Sequence, residues 1–219
     1  MNTTPAAKSR RRSHRTPRYV RDRTRQMLYE RAHPEDPWLT PAAIRLLSTL
    51  LRSTDRGVEF GAGRSTTWLA ARVGALTSVE HDPQWHETVA AALKDRGLGN
   101  VESILAAEDQ PTEDSGGSAY ARTALAFPEA SLDFALVDGR HRGYTAKFIM
   151  PRLKPGGMLI IDNVNWYLPC QSKAPNSRTA ALGPATVVWA EVWRELAGWR
   201  TIWTSSGVWD TAIFIRPGG

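Results

Sequence analysis

The chain has 219 residues, 42% of them hydrophobic and nine of them tryptophan, which suits one α/β domain with a buried core and excludes a disordered body. Its lone cysteine, Cys170, excludes an internal disulfide or a cysteine-cluster zinc site and fits a reducing cytoplasm; no apolar run reaches the ~18 residues of a membrane span. The net charge of +6 is uneven: residues 1–33 hold ten Lys or Arg against Asp22 and Glu30, and the rest holds 18 basic and 20 acidic side chains.

The basicity therefore belongs to an N-terminal arm. Residues 1–18 are polar and rich in arginine, without the apolar segment of a secretory signal, and read as a disordered arm. Such an arm can grip nucleic acid, but charge runs commonly just solvate, and a near-neutral body makes a nucleic-acid partner a poor fit. Residues 19–56 form N-terminal helices. In the first, Val20, Met27 and Leu28 are expected on one side, and Pro34 and Pro37 end it. The second has Thr40 as N-cap and Pro41 in its first turn, with Ile44, Leu47, Leu50 and Leu51 at helical spacing.

The third unit spans 57–219. A buried strand (57–60) meets a glycine turn, Gly61-Ala62-Gly63. A helix opened by Ser65 and Thr66 follows, then a strand ending in Val79-Glu80. The turn lacks the third glycine of a dinucleotide fingerprint, because Thr66 stands there, and no P-loop lysine follows. With Glu59 at the mouth and Glu80 across from it, the loop favours a cation bearing free hydroxyls. S-adenosylmethionine, with a sulfonium, an ammonium and a ribose diol, has that chemistry. Next come a helix from Asp82-Pro83 to about 96, facing inward through Trp85, Val89 and Leu93, a strand (101–105), and an acidic glycine-rich loop (106–119). A strand (132–137) ends in Asp138-Gly139-Arg140-His141. A helix at 144–153, the turn Pro155-Gly156-Gly157 and a strand at 158–161 lead to Asp162-Asn163. A long polar and aromatic loop (164–184), a helix (187–196) and a hairpin of 200–204 with 211–215 complete the chain.

Glu59-Phe60-Gly61-Ala62-Gly63, Glu80 and Pro155-Gly156-Gly157 together resemble the class I S-adenosylmethionine-dependent methyltransferases. The resemblance implies a Rossmann-like α/β fold with a mostly parallel seven-stranded sheet, a C-terminal antiparallel hairpin, and N-terminal helices over the substrate side. It implies a cofactor site of Glu59, Gly61, Gly63, Ser65, Glu80 and Asp138, with Glu108 or Asp109 toward the adenine. Asp138-Gly-Arg-His141-Arg-Gly-Tyr144 and Asp162-Asn163-Val-Asn-Trp166 further resemble the metal-dependent catechol and caffeoyl-coenzyme A type O-methyltransferases, with His141 in place of a lysine. That resemblance implies Mg²⁺ held by Asp138, Asp162 and Asn163, whose hard oxygens suit it. Other methyltransferases carry D-G-x-H without a metal, so both arrangements stay open. Either way Asp138 and His141 are the candidate catalytic residues, with imidazole as a competent base near neutral pH. Trp166, Tyr167 and Tyr144 are candidates to stack on the acceptor. The expected activity is methylation of a small-molecule acceptor, most simply at a hydroxyl. N-methylation and RNA modification are the alternatives, and a homodimer is the candidate assembly.

Overall fold

Seven strands form one sheet in the order β3-β2-β1-β4-β5-β7-β6 in a computed structural model that describes residues 16–107, 109–110 and 114–218. They are β1 (Arg56–Phe60), β2 (Ala75–Glu80), β3 (Val101–Leu105), β4 (Leu132–Val137), β5 (Leu153–Asp162), β6 (Arg200–Ser205) and β7 (Asp210–Ile215). The first five run parallel, and β7 is antiparallel to both β5 and β6. The helices are α1 (Pro17–Ala32), α2 (Pro41–Leu50), α3 (Arg64–Ala70), α4 (Pro83–Asp95), α5 (Ala119–Arg122), α6 (Arg142–Ile149) and α7 (Val187–Leu196). This is the mostly parallel Rossmann-like sheet with a C-terminal antiparallel hairpin. The basic arm lies outside the described residues, apart from its last three. Among the described residues no helix is long and apolar enough to cross a membrane.

Side chains alternate across the sheet, so each strand feeds two cores. Val58, Phe60, Ala135, Val137, Leu159, Ile161 and Phe214 pack with Ile149, Trp189, Val192 and Leu196 on the α6 and α7 face. Phe134, Leu136, Ile160 and Ile213 pack on the opposite face with Leu47 of α2, Trp68 and Leu69 of α3, and Val89 and Leu93 of α4. Helix starts follow local capping. The Thr40 hydroxyl accepts the Ala43 N–H and Asp82 accepts the Trp85 N–H, each with a proline in the first turn.

Several local expectations are corrected. Val20 is 61% exposed and Met27 and Leu28 are also exposed, whereas α1 buries Asp22 and Gln26. The helix packs its polar side on the β6–β7 turn: a Cβ at Gly207 would stand 2.4 Å from Asp22 Oδ2. Trp85 is 42% exposed and does not join Val89 and Leu93 in the core. Helix α6 starts at Arg142 and ends at Ile149. The Pro155-Gly156-Gly157 turn lies inside β5, as an irregularity where the β4 register shifts from Leu132↔Leu153 to Phe134↔Met158. The long loop is cross-linked by its own side chains: Asn165 donates to the Pro175 carbonyl and accepts the Asp210 N–H, while Arg178 donates to three carbonyls at 182–184.

Candidate active site

Strand β1 lies between β2 and β4, with Phe60 opposite both Val79 and Val137. The chain crosses over at this point, and open α/β sheets bind ligands at the carboxyl ends of strands on either side of it. Gly61 has φ +102, and a Cβ there would stand 2.7 Å from the Gly139 nitrogen. A Cβ at Gly139 would in turn stand 1.9 Å from the Tyr120 hydroxyl oxygen. Only two glycines let the β1 and β4 loops touch above that phenol.

Glu80, ending β2, is 2% exposed. Its Oε2 accepts the Ala62 N–H at 2.9 Å, and its Oε1 accepts those of His81 and Asp82 at 2.8 and 2.9 Å. The Trp85 indole N–H donates to the Ala62 carbonyl at 2.7 Å. These groups line a cavity of about 680 Å³, together with Trp38, Asp138, Gly139 and Arg142. The volume and the polar set fit a nucleoside-bearing cofactor. The cavity is ringed by the turn backbone, a carboxylate able to accept further hydroxyls, and an indole wall.

Glu59 is not at the mouth. It is fully buried and does not line this cavity, and its Oε1 accepts the Ser78 hydroxyl at 2.7 Å. Burial pushes its carboxyl up to about 7, against the hydroxyls of Thr66, Ser78 and Ser65. The reason is strand alternation, which pairs Glu59 with Ser78 on the covered face. Ser65 is buried and does not line this cavity either, and Gly63 lies at the start of α3 with its N–H donated to the Thr66 hydroxyl at 2.9 Å. Asp109 accepts the Ala119 N–H at 3.0 Å, at the start of α5. Glu108 lies outside the described residues.

A second cavity of about 390 Å³ adjoins the first, sharing Trp38 and Asp138, and is otherwise lined by Arg23, Glu30, Asp162, Asn163 and Trp209. Asp162 is buried, and its Oδ1 accepts the Thr211 hydroxyl at 2.5 Å. Burial first, and the neighbouring Asp138 charge second, push the Asp162 carboxyl well above its usual range. Burial also raises Asp138, opposed by the charge and hydrogen bond of Arg142. The structure thus brings Asp138, Asp162 and Asn163 together, but it puts a guanidinium among them. Arg142 donates to Asp138 Oδ1 at 2.9 Å, to Asn163 Oδ1 at 3.0 Å and to the Asp162 carbonyl at 2.6 Å. These residues therefore do not fit Mg²⁺, since a fixed positive charge already claims two of the three donors.

His141 takes the left-handed conformation (φ 48) at the start of α6, and its buried ring accepts the Ser115 N–H on Nδ1 at 3.0 Å. It lines neither of these two cavities. Tyr144 packs on Phe148, Tyr167 stacks on Trp189 at 4.7 Å, and Trp166 is exposed; none of the three lines either of these two cavities. The aromatic walls are Trp38, Trp85 and Trp209. Sequence reasoning also missed Arg142, although it lies inside the strand-four motif. No local signal marked Arg23, Glu30, Trp38 or Trp209.

Residues 58–164 match a family described as a methyltransferase domain. Solved structures share the fold at low identity. A methyltransferase from Geobacter sulfurreducens has TM-score 0.55 and 15% identity, covering 93% of this chain and 90% of its own. An rRNA methylase from Streptococcus thermophilus has TM-score 0.53 and 14% identity, covering 84% and 100%. A SAM-dependent methyltransferase from Aquifex aeolicus has TM-score 0.50 and 14% identity, covering 89% and 97%. No curated protein sequence matches the chain significantly.

Proposed function

We propose that this chain is an S-adenosylmethionine-dependent methyltransferase and that it methylates a hydroxyl of a small, planar acceptor. The observation that carries the reading is the junction of the two cavities at Asp138 and Trp38. In this reading the larger cavity holds S-adenosylmethionine, which supplies an electrophilic methyl group for in-line displacement. Glu80 accepts the ribose hydroxyls on lone pairs left over from its three backbone bonds. The turn backbone at Gly61 and Ala62 and the Trp85 indole fix the cofactor's orientation, which is where positioning gains rate.

The smaller cavity takes the acceptor between Trp38 and Trp209, with Arg23 and Glu30 of α1 on its wall. The acceptor oxygen must lose a proton as it gains the methyl group. Asp138 and Asp162 both line this cavity. Burial raises both carboxyls, Asp162 well above its usual range, while the charge and hydrogen bond of Arg142 oppose the rise at Asp138, so this reading assigns that proton to Asp138. Three acids against one arginine are poorly suited to a phosphate backbone, which favours a small acceptor over RNA.

The test is transfer of a labelled methyl group to a panel of one-ring hydroxylated acceptors, amines and total RNA. Labelling of a hydroxylated acceptor supports the reading. Labelling of RNA alone, or of amines alone, overturns it.

A further inference from the structure

The carboxyl ends of β4 and β5 present Asp138, Asp162 and Asn163, hard oxygen donors of the kind that hold divalent ions. Here they surround the guanidinium of Arg142, whose five N–H donors are all engaged. Nε donates to the Gly139 carbonyl at 2.9 Å. Nη1 donates to the Asp162 carbonyl at 2.6 Å and Asn163 Oδ1 at 3.0 Å. Nη2 donates to the Asp138 carbonyl at 2.5 Å and Asp138 Oδ1 at 2.9 Å. The side chain is only 12% exposed.

We infer that Arg142 is a built-in cation that ties the two strand ends together and closes this donor set to divalent metals. Its place is set by the fold: as the first residue of α6, four positions after Asp138, it reaches back over the end of β4. Guanidinium stays protonated at any working pH and is weakly hydrated, so it suits a nearly dry site. Asp138 Oδ1 and Asn163 Oδ1 already accept from it, and Asp162 Oδ1 accepts from Thr211. A divalent ion would have to displace those bonds and approach a like charge. Three of the five bonds go to backbone carbonyls, so Arg142 also sets the spacing of the β4 and β5 loops. It is a positioning residue, acting through Asp138 and Asn163. None of this depends on which acceptor the enzyme uses, and the test needs none.

Mn²⁺ alone is titrated into the full chain, and uptake is read from loss of the free-ion electron paramagnetic resonance signal. Wild type and Arg142→Lys, both cationic at this position, should leave the signal unchanged. Arg142→Ala and Arg142→Gln, checked for folding by circular dichroism, should take up the ion, and adding Asp138→Asn should abolish that uptake. Uptake by the wild type that Asp138→Asn removes would overturn the inference, whether or not the Ala and Gln variants fold. So would folded Ala and Gln variants that bind no more Mn²⁺ than wild type.

Discussion

Glu80 Oε2 accepts the Ala62 backbone N–H at 2.9 Å, tying the acid that ends β2 to the turn that ends β1. One carboxylate thus shapes the turn and faces the cavity that the turn borders. Replacing it removes both effects. Glu80→Ala should weaken S-adenosylhomocysteine binding by roughly 1–3 kcal/mol, the range for losing hydrogen bonds to a charged group. Calorimetric titration reads this directly, and equal affinity would take Glu80 out of the site.

Glu59 makes stability depend on pH in a known direction. Its folded carboxyl keeps a proton up to about 7, whereas the reference value is 4.5. Between those values the folded chain holds more protons than the unfolded one, so stability is highest on the acid side and falls as pH rises through 7. The drop through this one group is about 3 kcal/mol. Glu59→Gln should lose that part of the slope, and its melting temperature should gain on wild type at pH 8 relative to pH 5. Parallel wild-type and variant curves would refute the assignment.

The two cavities should separate by mutation. Trp85 lines only the larger and Trp209 only the smaller. Trp209→Ala should raise the acceptor KM with cofactor affinity unchanged, and Trp85→Ala should do the reverse. An aromatic contact contributes about 0.5–1.5 kcal/mol beyond its area burial, so changes of several-fold are expected in each. Trp38→Ala, at the junction, should move both.

His141 and Asp138 make opposite predictions for the pH–rate profile. Asparagine tolerates the left-handed backbone that His141 adopts (φ 48), so His141→Asn should keep both the rate and its pH dependence. Asp138→Asn should cost roughly 100-fold or more, the scale of a lost general base. An acid limb that vanishes in His141→Asn would return the base to the imidazole.

The strands and turns were legible because their causes are local. The apolar run at 132–137 and the apolar stretch at 158–161 lie in the expected strands, and Gly61 is a glycine because its φ demands one. Boundaries slipped where the cause was not local: β5 begins at Leu153 because β4 pairs with it there, ahead of the glycine turn. Helix α1 departs from its apolar spacing because the turn that it packs on, at Gly207 between β6 and β7, lies about 180 residues away in sequence. The glycine turn after β1 and the acid that ends β2 were readable as a motif. The facing of Glu59 and His141 was not, since strand alternation and one left-handed residue turned them away from the cavities.

By itself, then, the sequence determined the α/β class, the glycine turn and the acids at the ends of β2, β4 and β5. Each depends on a few adjacent residues obeying backbone sterics and strand periodicity. Only the tertiary structure decided that Arg142 lies among Asp138, Asp162 and Asn163, and that Trp38 and Trp209 line one cavity. Which side chains share a cavity depends on strand order and helix packing across the whole sheet. No local spacing records that.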